Sequence, residues 1–400
     1  MKRTTVEIAL LIVVLGVLLT NESLIPRGIA SGDFRAYWST SYLLARGENP
    51  WDPTLLLRTE QEQAGWREAF PVLTWNPPWL GVLILPYAFV SFATAERVWL
   101  LTNIALVGLG AVLVWHDSTR QAATRRRAWV GLVIAFSFAM TLLTLGMGQV
   151  NTLVFAGLAL FLYFSRARRD ALAGAALWLT TVKPHLVYLT LPVLFLGLVR
   201  TRRWRALMGF GVGGASLLLS LFLLRPTWLG EYLQNIGGGQ LLAWETPTVG
   251  GIAQLVFGLT WAKWLGLVIL PLVIWRFTSQ AIPSSWRTWV DITLLLGIPT
   301  APFGWSYDQV LLLIPILRVA TWLCDGELAK RETILIGVLL IAANALAFYE
   351  RTLTPSEVYF FWVPWLVAIV YGYVARRVTR VHSISDDAVA SASSYLAAPS

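Results

Sequence analysis

Apolar runs close to twenty residues long alternate with short arginine clusters along nearly the whole chain. That alternation leaves few folds open. A run long enough to cross a bilayer needs about 17–25 mostly apolar residues as a helix. Runs of that kind fall at roughly 5–21, 95–115, 129–147, 151–165, 171–184, 186–199, 207–224, 260–276, 288–304, 309–323, 333–349 and 357–375. Only 13% of the 400 residues are charged, against about a quarter in a soluble domain. The mean hydropathy is +0.64. The bilayer is therefore the expected solvent, and 21 tryptophans suit its two interfaces.

The arginines set the orientation. "TRQAATRRR" (119–127), "RARR" (166–169), "RTRRWR" (200–205), Arg276 with Arg287, "KR" (330–331) and "RRVTR" (376–380) must share one side. With Lys2 and Arg3 they hold 20 of the 31 basic residues. The positive-inside rule puts that side in the cytoplasm. The net charge of +9 thus belongs to loops and not to one basic face, which argues against nucleic acid. The start, "MKRTTVEIALLIVVLGVLLTNES", has the look of a signal peptide, yet "LIPRGIASGD" after it offers no A-x-A site. A retained helix is expected, with both termini cytoplasmic.

One apolar stretch does not fit as a crossing. "NPPWLGVLILPYAFVSF" (76–92) opens on two prolines and holds a third at Pro86. Proline begins helices and breaks their interiors. Crossing there would also move the triple-arginine loop outside. The expectation is an all-α polytopic protein of about twelve spans, with one long outer loop over 22–94. That loop should carry short interface helices near 34–46, 54–68 and 77–90. The polytopic domain covers 1–380, and the polar tail 381–400 reads as disordered and cytoplasmic.

Ionisable groups at membrane depth are costly and are functional candidates by default. The outer side collects Asp33, Arg35, Asn76, Gln149, Asn151, Lys183, His185, Arg225, Glu231, Glu245, Tyr307 and Asp308 from distant parts of the chain. Each also has a plain structural reading. Asp33 follows Ser31–Gly32 and would cap a helix beginning at Phe34. "GMGQVN" (146–151) is a glycine-permitted turn whose amides either cap helix ends or bind a sugar. Lys183 either snorkels to headgroups or holds a phosphate. Asp308 would cap the helix it opens. Arg318 lies deep in an apolar run with no evident partner. The lone cysteine, Cys324, excludes an internal disulfide, and three scattered histidines suggest no metal site.

No D-x-D pair occurs in the outer stretches. Divalent metals are commonly held on phosphates by such carboxylates, so a nucleotide-diphosphate donor is not indicated. A monophosphate leaving group needs only a lysine or arginine as countercharge.

Five motifs in order carry a resemblance. They are "GDFRAYWSTSYLLARGENPWDP" (32–53), "WNPPWLGVLILPYAFVSFATAERVW" (75–99), "GQVNTLVFAGLAL" (148–160), "AGAALWLTTVKPHLVYLTLPVLFLGLVRTRRWRAL" (173–207) and "SYDQVLLLIP" (306–315). Together they resemble glycosyltransferase family 87, multi-spanning mannosyltransferases of the GT-C superfamily that use polyprenyl-phosphate-linked mannose. The resemblance implies inverting transfer on the outer face of a plasma membrane, to a lipid or glycan acceptor, with no metal or other cofactor. It implies Asp33 as general base, Gln149 and Asn151 on the sugar or donor, and Lys183 on the phosphate. Asn76 belongs to the Pro-Pro motif, here Trp-Asn-Pro-Pro. Arg35 would lie near donor phosphate, with Tyr37 and Trp38 anchoring its helix at the interface. Some relatives carry a histidine near the outer end of a late helix. This chain has Tyr307–Asp308 there, which makes Asp308 the second acid–base candidate.

Three other readings stand beside this one. A transporter or flippase would want repeated halves and a midplane cavity. A glycan hydrolase would pair Asp33 with Asp308 or Glu245. A structural membrane subunit would need neither.

Overall fold

The structure is a computed structural model; it describes residues 32–119, 121–236, 244–279, 285–354 and 356–396, with side chains to 379. The expected first span at 5–21 lies outside them. Helix runs throughout, and no strand occurs among the described residues. Among the described residues, six helices are long and apolar enough to cross a membrane: Phe92–Ser118, Trp204–Leu224, Thr260–Thr278, Ser306–Cys324, Lys330–Leu353 and Glu357–Thr379. Ala128–Ser137 and Ala139–Gly146, bent by 64° at their break, make a seventh if counted as one. The chain is thus a multi-pass helical protein.

The other expected spans are shorter or broken. Asn151–Arg166 has 16 residues, about 24 Å of helix against a hydrocarbon core of about 30 Å. The run expected at 171–184 is the helix Asp170–Ala176 followed by a 3-10 turn Leu177–Val182. Thr190–Arg200 has 11 residues. The last helix continues from Trp362 to Leu396, into the stretch expected as a tail.

The chain divides into two compact units. The first comprises Met1–Val107, Met140–Pro184 and Arg202–Ala243. Its short helices form where the sequence puts their start and stop signals. In Pro53–Ala64, the Asp52 carboxylate accepts from Thr54 and Leu55 N–H groups at 2.8 and 3.1 Å. Pro53 fills the first helical position and Gly65 stops the helix. Phe34–Leu44 buries Phe34, Tyr37 and Trp38. Phe34 stacks on Trp99 at 5.3 Å, and Tyr87 meets the same indole edge-on at 5.4 Å. The proline-rich stretch becomes Trp79–Ile84 and a 3-10 turn Leu85–Phe89, too short together to cross.

The second unit comprises Gly108–Ala139, His185–Thr201 and Trp244–Ser400. Ser306–Cys324 is its innermost span, with 78% of its apolar window buried, against 11% for Lys330–Leu353. The helix break at Phe138 would leave backbone groups without partners in hydrocarbon. Asn344 supplies them: its oxygen accepts from Ala139 N–H and its nitrogen donates to Ser137 C=O, both at 2.8 Å. An apolar cavity of about 380 Å³ adjoins this break, lined in part by Phe138, Ile316, Leu340 and Val363.

Candidate active site

The first unit builds its site around the 146–151 turn. Gly148 takes φ +65°, a conformation that a side chain resists. This lets the chain turn sharply between Ala139–Gly146 and Asn151–Arg166. The turn is clamped from two directions. Trp99 Nε1 donates to Gly148 O at 2.8 Å, and Asp33 N–H donates to Met147 O at 2.9 Å. A Cβ on Gly32 would come within 2.9 Å of that same Met147 carbonyl. Only glycine lets the two backbones approach so closely.

Asp33 occupies the position before the Phe34–Leu44 helix, yet its side chain does not cap it. Its Oδ2 accepts instead from the Gln149 side-chain nitrogen. The Gln149 oxygen accepts from Lys183 Nζ at 2.9 Å and from Tyr37 OH at 3.1 Å. Two donors on the amide oxygen fix which way the amide points, so its NH₂ must face the carboxylate. Gln149, Lys183 and Tyr37 are almost fully buried, while Asp33 is half-exposed. The result is a partly open carboxylate with a rigid polar wall behind it.

Lys183 is placed by its own neighbours. Asn76 Nδ2 donates to Val182 O at 2.9 Å, and Trp79 Nε1 donates to Thr181 Oγ1 at 3.0 Å. The Pro-Pro segment thus ties down the stretch that ends in Lys183. Asn151, two residues beyond Gln149, is fully buried, and both side-chain polar atoms lack a hydrogen-bond partner among the described residues. An unsatisfied buried amide costs about 1–3 kcal/mol.

Two of the expected roles change. Tyr37 and Trp38 are 4% and 1% exposed and do not anchor at an interface. Tyr37 belongs to the polar wall, and Trp38 Nε1 donates to Tyr87 O at 2.9 Å. Arg35 turns toward the end of the Pro53–Ala64 helix. Its Nε donates to Ala64 O at 3.1 Å, and its guanidinium lies 4.9 Å from the Trp66 ring.

His185, Tyr307 and Asp308 belong to the second unit. His185 is half-buried and Tyr307 is 8% exposed. Asp308 is buried, and its Oδ2 accepts from Trp305 N–H at 2.8 Å. That is the capping role open to an acid at a helix start.

A family model described as glycosyltransferase family 87 matches residues 74–398. The chain belongs to glycosyltransferase family 87. No curated protein and no solved structure matches the chain. As a family 87 member it is a membrane glycosyltransferase. Transport, hydrolysis and a purely structural role give way to this. The matched region takes in Asn76, Gln149, Asn151, Lys183, His185, Tyr307 and Asp308. Asp33 and Arg35 precede it, and hydrogen bonds to Met147 and Gln149 join Asp33 to the family region.

Among the buried carboxylates that a reading of the sequence passes over, two stand out. Asp291 forms an ion pair with Arg318 at 2.6 Å and accepts from Tyr371 OH at 2.7 Å. A lone acid inside an apolar run was the available signal. The other is Glu60, fully buried in the helix Pro53–Ala64, whose Oε2 accepts from Val72 N–H at 2.9 Å. Burial pushes its carboxyl up to about 7, against the pull of that bond and of Arg35. Burial likewise lowers the Arg35 guanidinium, opposed by Glu60 and Glu96.

Proposed function

We propose that this family 87 enzyme moves a hexose, mannose in the first instance, from a polyprenyl-phosphate donor to a lipid or glycan acceptor. The reaction inverts the anomeric centre at the outer face of the plasma membrane. Asp33 is the general base. It takes the proton of the acceptor hydroxyl as that oxygen attacks C1 of the donor sugar. The C1–O bond to phosphate breaks, and the phosphate leaves with the electron pair. Lys183 supplies the countercharge, so the step needs no metal. Asn151 offers its amide to a sugar hydroxyl, and Asn76 positions Lys183 through Val182. The proposal keeps the twelve-crossing topology with both termini cytoplasmic, counting broken helices as crossings.

The observation that carries this reading is the Asp33 carboxylate. It stands where a helix cap would stand, makes no cap, and is oriented by Gln149. A base must reach its substrate's proton, and a half-exposed, oriented carboxylate suits that need. The donor is tested with purified protein in liposomes, offered radiolabelled mannose on polyprenyl phosphate or on GDP, with and without EDTA. Labelled product from the lipid donor alone, undiminished by EDTA, is the expected result. Transfer from the nucleotide, or activity abolished by EDTA, overturns it.

A further inference from the structure

One indole of the first unit touches both sides of the Asp33–Gln149 bond. Trp99 lies near the start of Phe92–Ser118, and all its partners below belong to the same unit. It is 1% exposed and offers no face to a substrate. On one side, its Nε1 donates to Gly148 O at 2.8 Å. That oxygen and the Gln149 N–H belong to a single planar peptide unit. The N–H end donates to Thr144 O at 3.0 Å. A plane held at both ends fixes the direction in which the Gln149 side chain leaves the backbone. On the other side, the ring of Phe34, the residue after Asp33, stacks on the indole at 5.3 Å with 9° between planes. Tyr87 meets the indole edge-on at 5.4 Å, and its hydroxyl hydrogen-bonds Thr102 Oγ1 of the same span at 2.8 Å. One turn beyond Trp99, Asn103 Oδ1 accepts from Thr152 Oγ1, which ties the start of Asn151–Arg166 to that span as well. Core filling alone would be served by any buried acceptor for the indole N–H. Here the acceptor is the carbonyl that orients Gln149, and the stacked ring is the neighbour of Asp33.

We propose that Trp99 is a positioning residue for the transfer: it sets the distance and angle between the Asp33 carboxylate and the Gln149 amide. A general base must meet its substrate's hydroxyl within hydrogen-bond reach, and a misplacement of about 1 Å can cost about a hundredfold in rate. This rests on the transferase reading, in which Asp33 is the base.

The test reads placement and rate separately, on the full-length protein in nanodiscs. Two variants remove the N–H: Trp99→Phe, and Trp99→benzothienylalanine by amber suppression, which keeps the shape of the ring. With ¹⁵N-glutamine labelling, hydrogen exchange is followed at the Gln149 side-chain amide, whose signal is assigned by its loss in Gln149→Leu. Exchange needs the amide's bonds to open, so it should rise roughly two- to tenfold in both variants, the contribution of one hydrogen bond. Gln309 is the reference, since it is also 1% exposed and donates to Phe360 O at 3.0 Å in the second unit. Its exchange should not change. No rise at Gln149, or a rise shared by Gln309, overturns the proposal. In single-turnover transfer, both variants should lose roughly ten- to a hundredfold in rate constant at full amplitude. A loss of amplitude at the wild-type rate reports only a smaller folded fraction and overturns it. In a Gln149→Leu background, Trp99→Phe should cost nothing further, and effects that multiply overturn it too. If the wild type does not transfer, or Asp33→Asn transfers equally well, the transferase reading fails and the exchange comparison still decides the role of Trp99.

Discussion

The molecule contains two buried arrangements of a carboxylate, a cation and a tyrosine, and they are wired differently. In the second unit, Asp291 and Arg318 pair directly, with Tyr371 on the carboxylate. The group is closed, with Asp291 at 0% and Arg318 at 4% exposure. In the first unit, an amide stands between the charges. Gln149 gives its nitrogen to Asp33 and its oxygen to Lys183 and Tyr37. Direct pairing puts Arg318 and Tyr371 on the same oxygen, Asp291 Oδ2, and leaves the carboxylate closed to solvent. An intervening amide orients both charges and leaves Asp33 half-exposed to receive a proton. The closed group ties spans together, and the open one serves chemistry.

The largest effect should come from the open group. Asp33→Asn should lower transfer about 10²–10⁴-fold, the usual contribution of a general base, with the thermal midpoint near that of the wild type. The closed group should behave in the opposite way. Arg318→Met strands Asp291 and should destabilise by about 3–5 kcal/mol, seen as a lowered midpoint in detergent. Joining it to Asp291→Leu should recover most of that loss. If the double variant were as unstable as the single, the pair would not be the cause. Gln149→Leu should cut transfer roughly tenfold to a hundredfold, because a hydrogen bond to a charged group is worth about 1.5–3 kcal/mol. An unchanged rate in that variant would erase the distinction drawn between the two groups.

The smallest effect concerns Glu60, a buried acid outside both groups. Its carboxyl is raised from 4.5 to about 7 in the folded protein. Between those values the folded state holds more protons than the unfolded one, so stability falls as pH rises and levels off above about 7. Thermal midpoints across pH 4.5–8 should show that slope in the wild type, and Glu60→Gln should flatten it.

The contrast also explains what the sequence could reveal. Apolar length and arginine placement made the polytopic helical class legible, because hydropathy records the solvent of each segment. The starts of Phe34–Leu44 and Pro53–Ala64 were legible because their signals lie within a few residues. The breaks between 177 and 189 were not, since an apolar residue reads alike in α-helix and 3-10 turn. Asp33, Gln149 and Lys183 were legible as separate candidates. Their wiring was not, because Asp33 and Gln149 lie 116 residues apart. Tyr37 was misread as an anchor, for nothing local distinguishes an aromatic that faces lipid from one that faces an amide. Arg318 stood out as a deep charge, but its partner Asp291 passed unnoticed 27 residues earlier in another apolar run.

The most direct test of the central claim sets Asp33 against Asp308 in one assay. Single-turnover transfer from polyprenyl-phosphate-[³H]mannose is measured for wild type, Asp33→Asn and Asp308→Asn, each checked for equal thermal stability. If the oriented, uncapping carboxylate is the base, Asp33→Asn abolishes the single turnover and Asp308→Asn keeps a rate close to wild type. A full turnover by Asp33→Asn, with loss in Asp308→Asn, would contradict the account and make the capping acid the base.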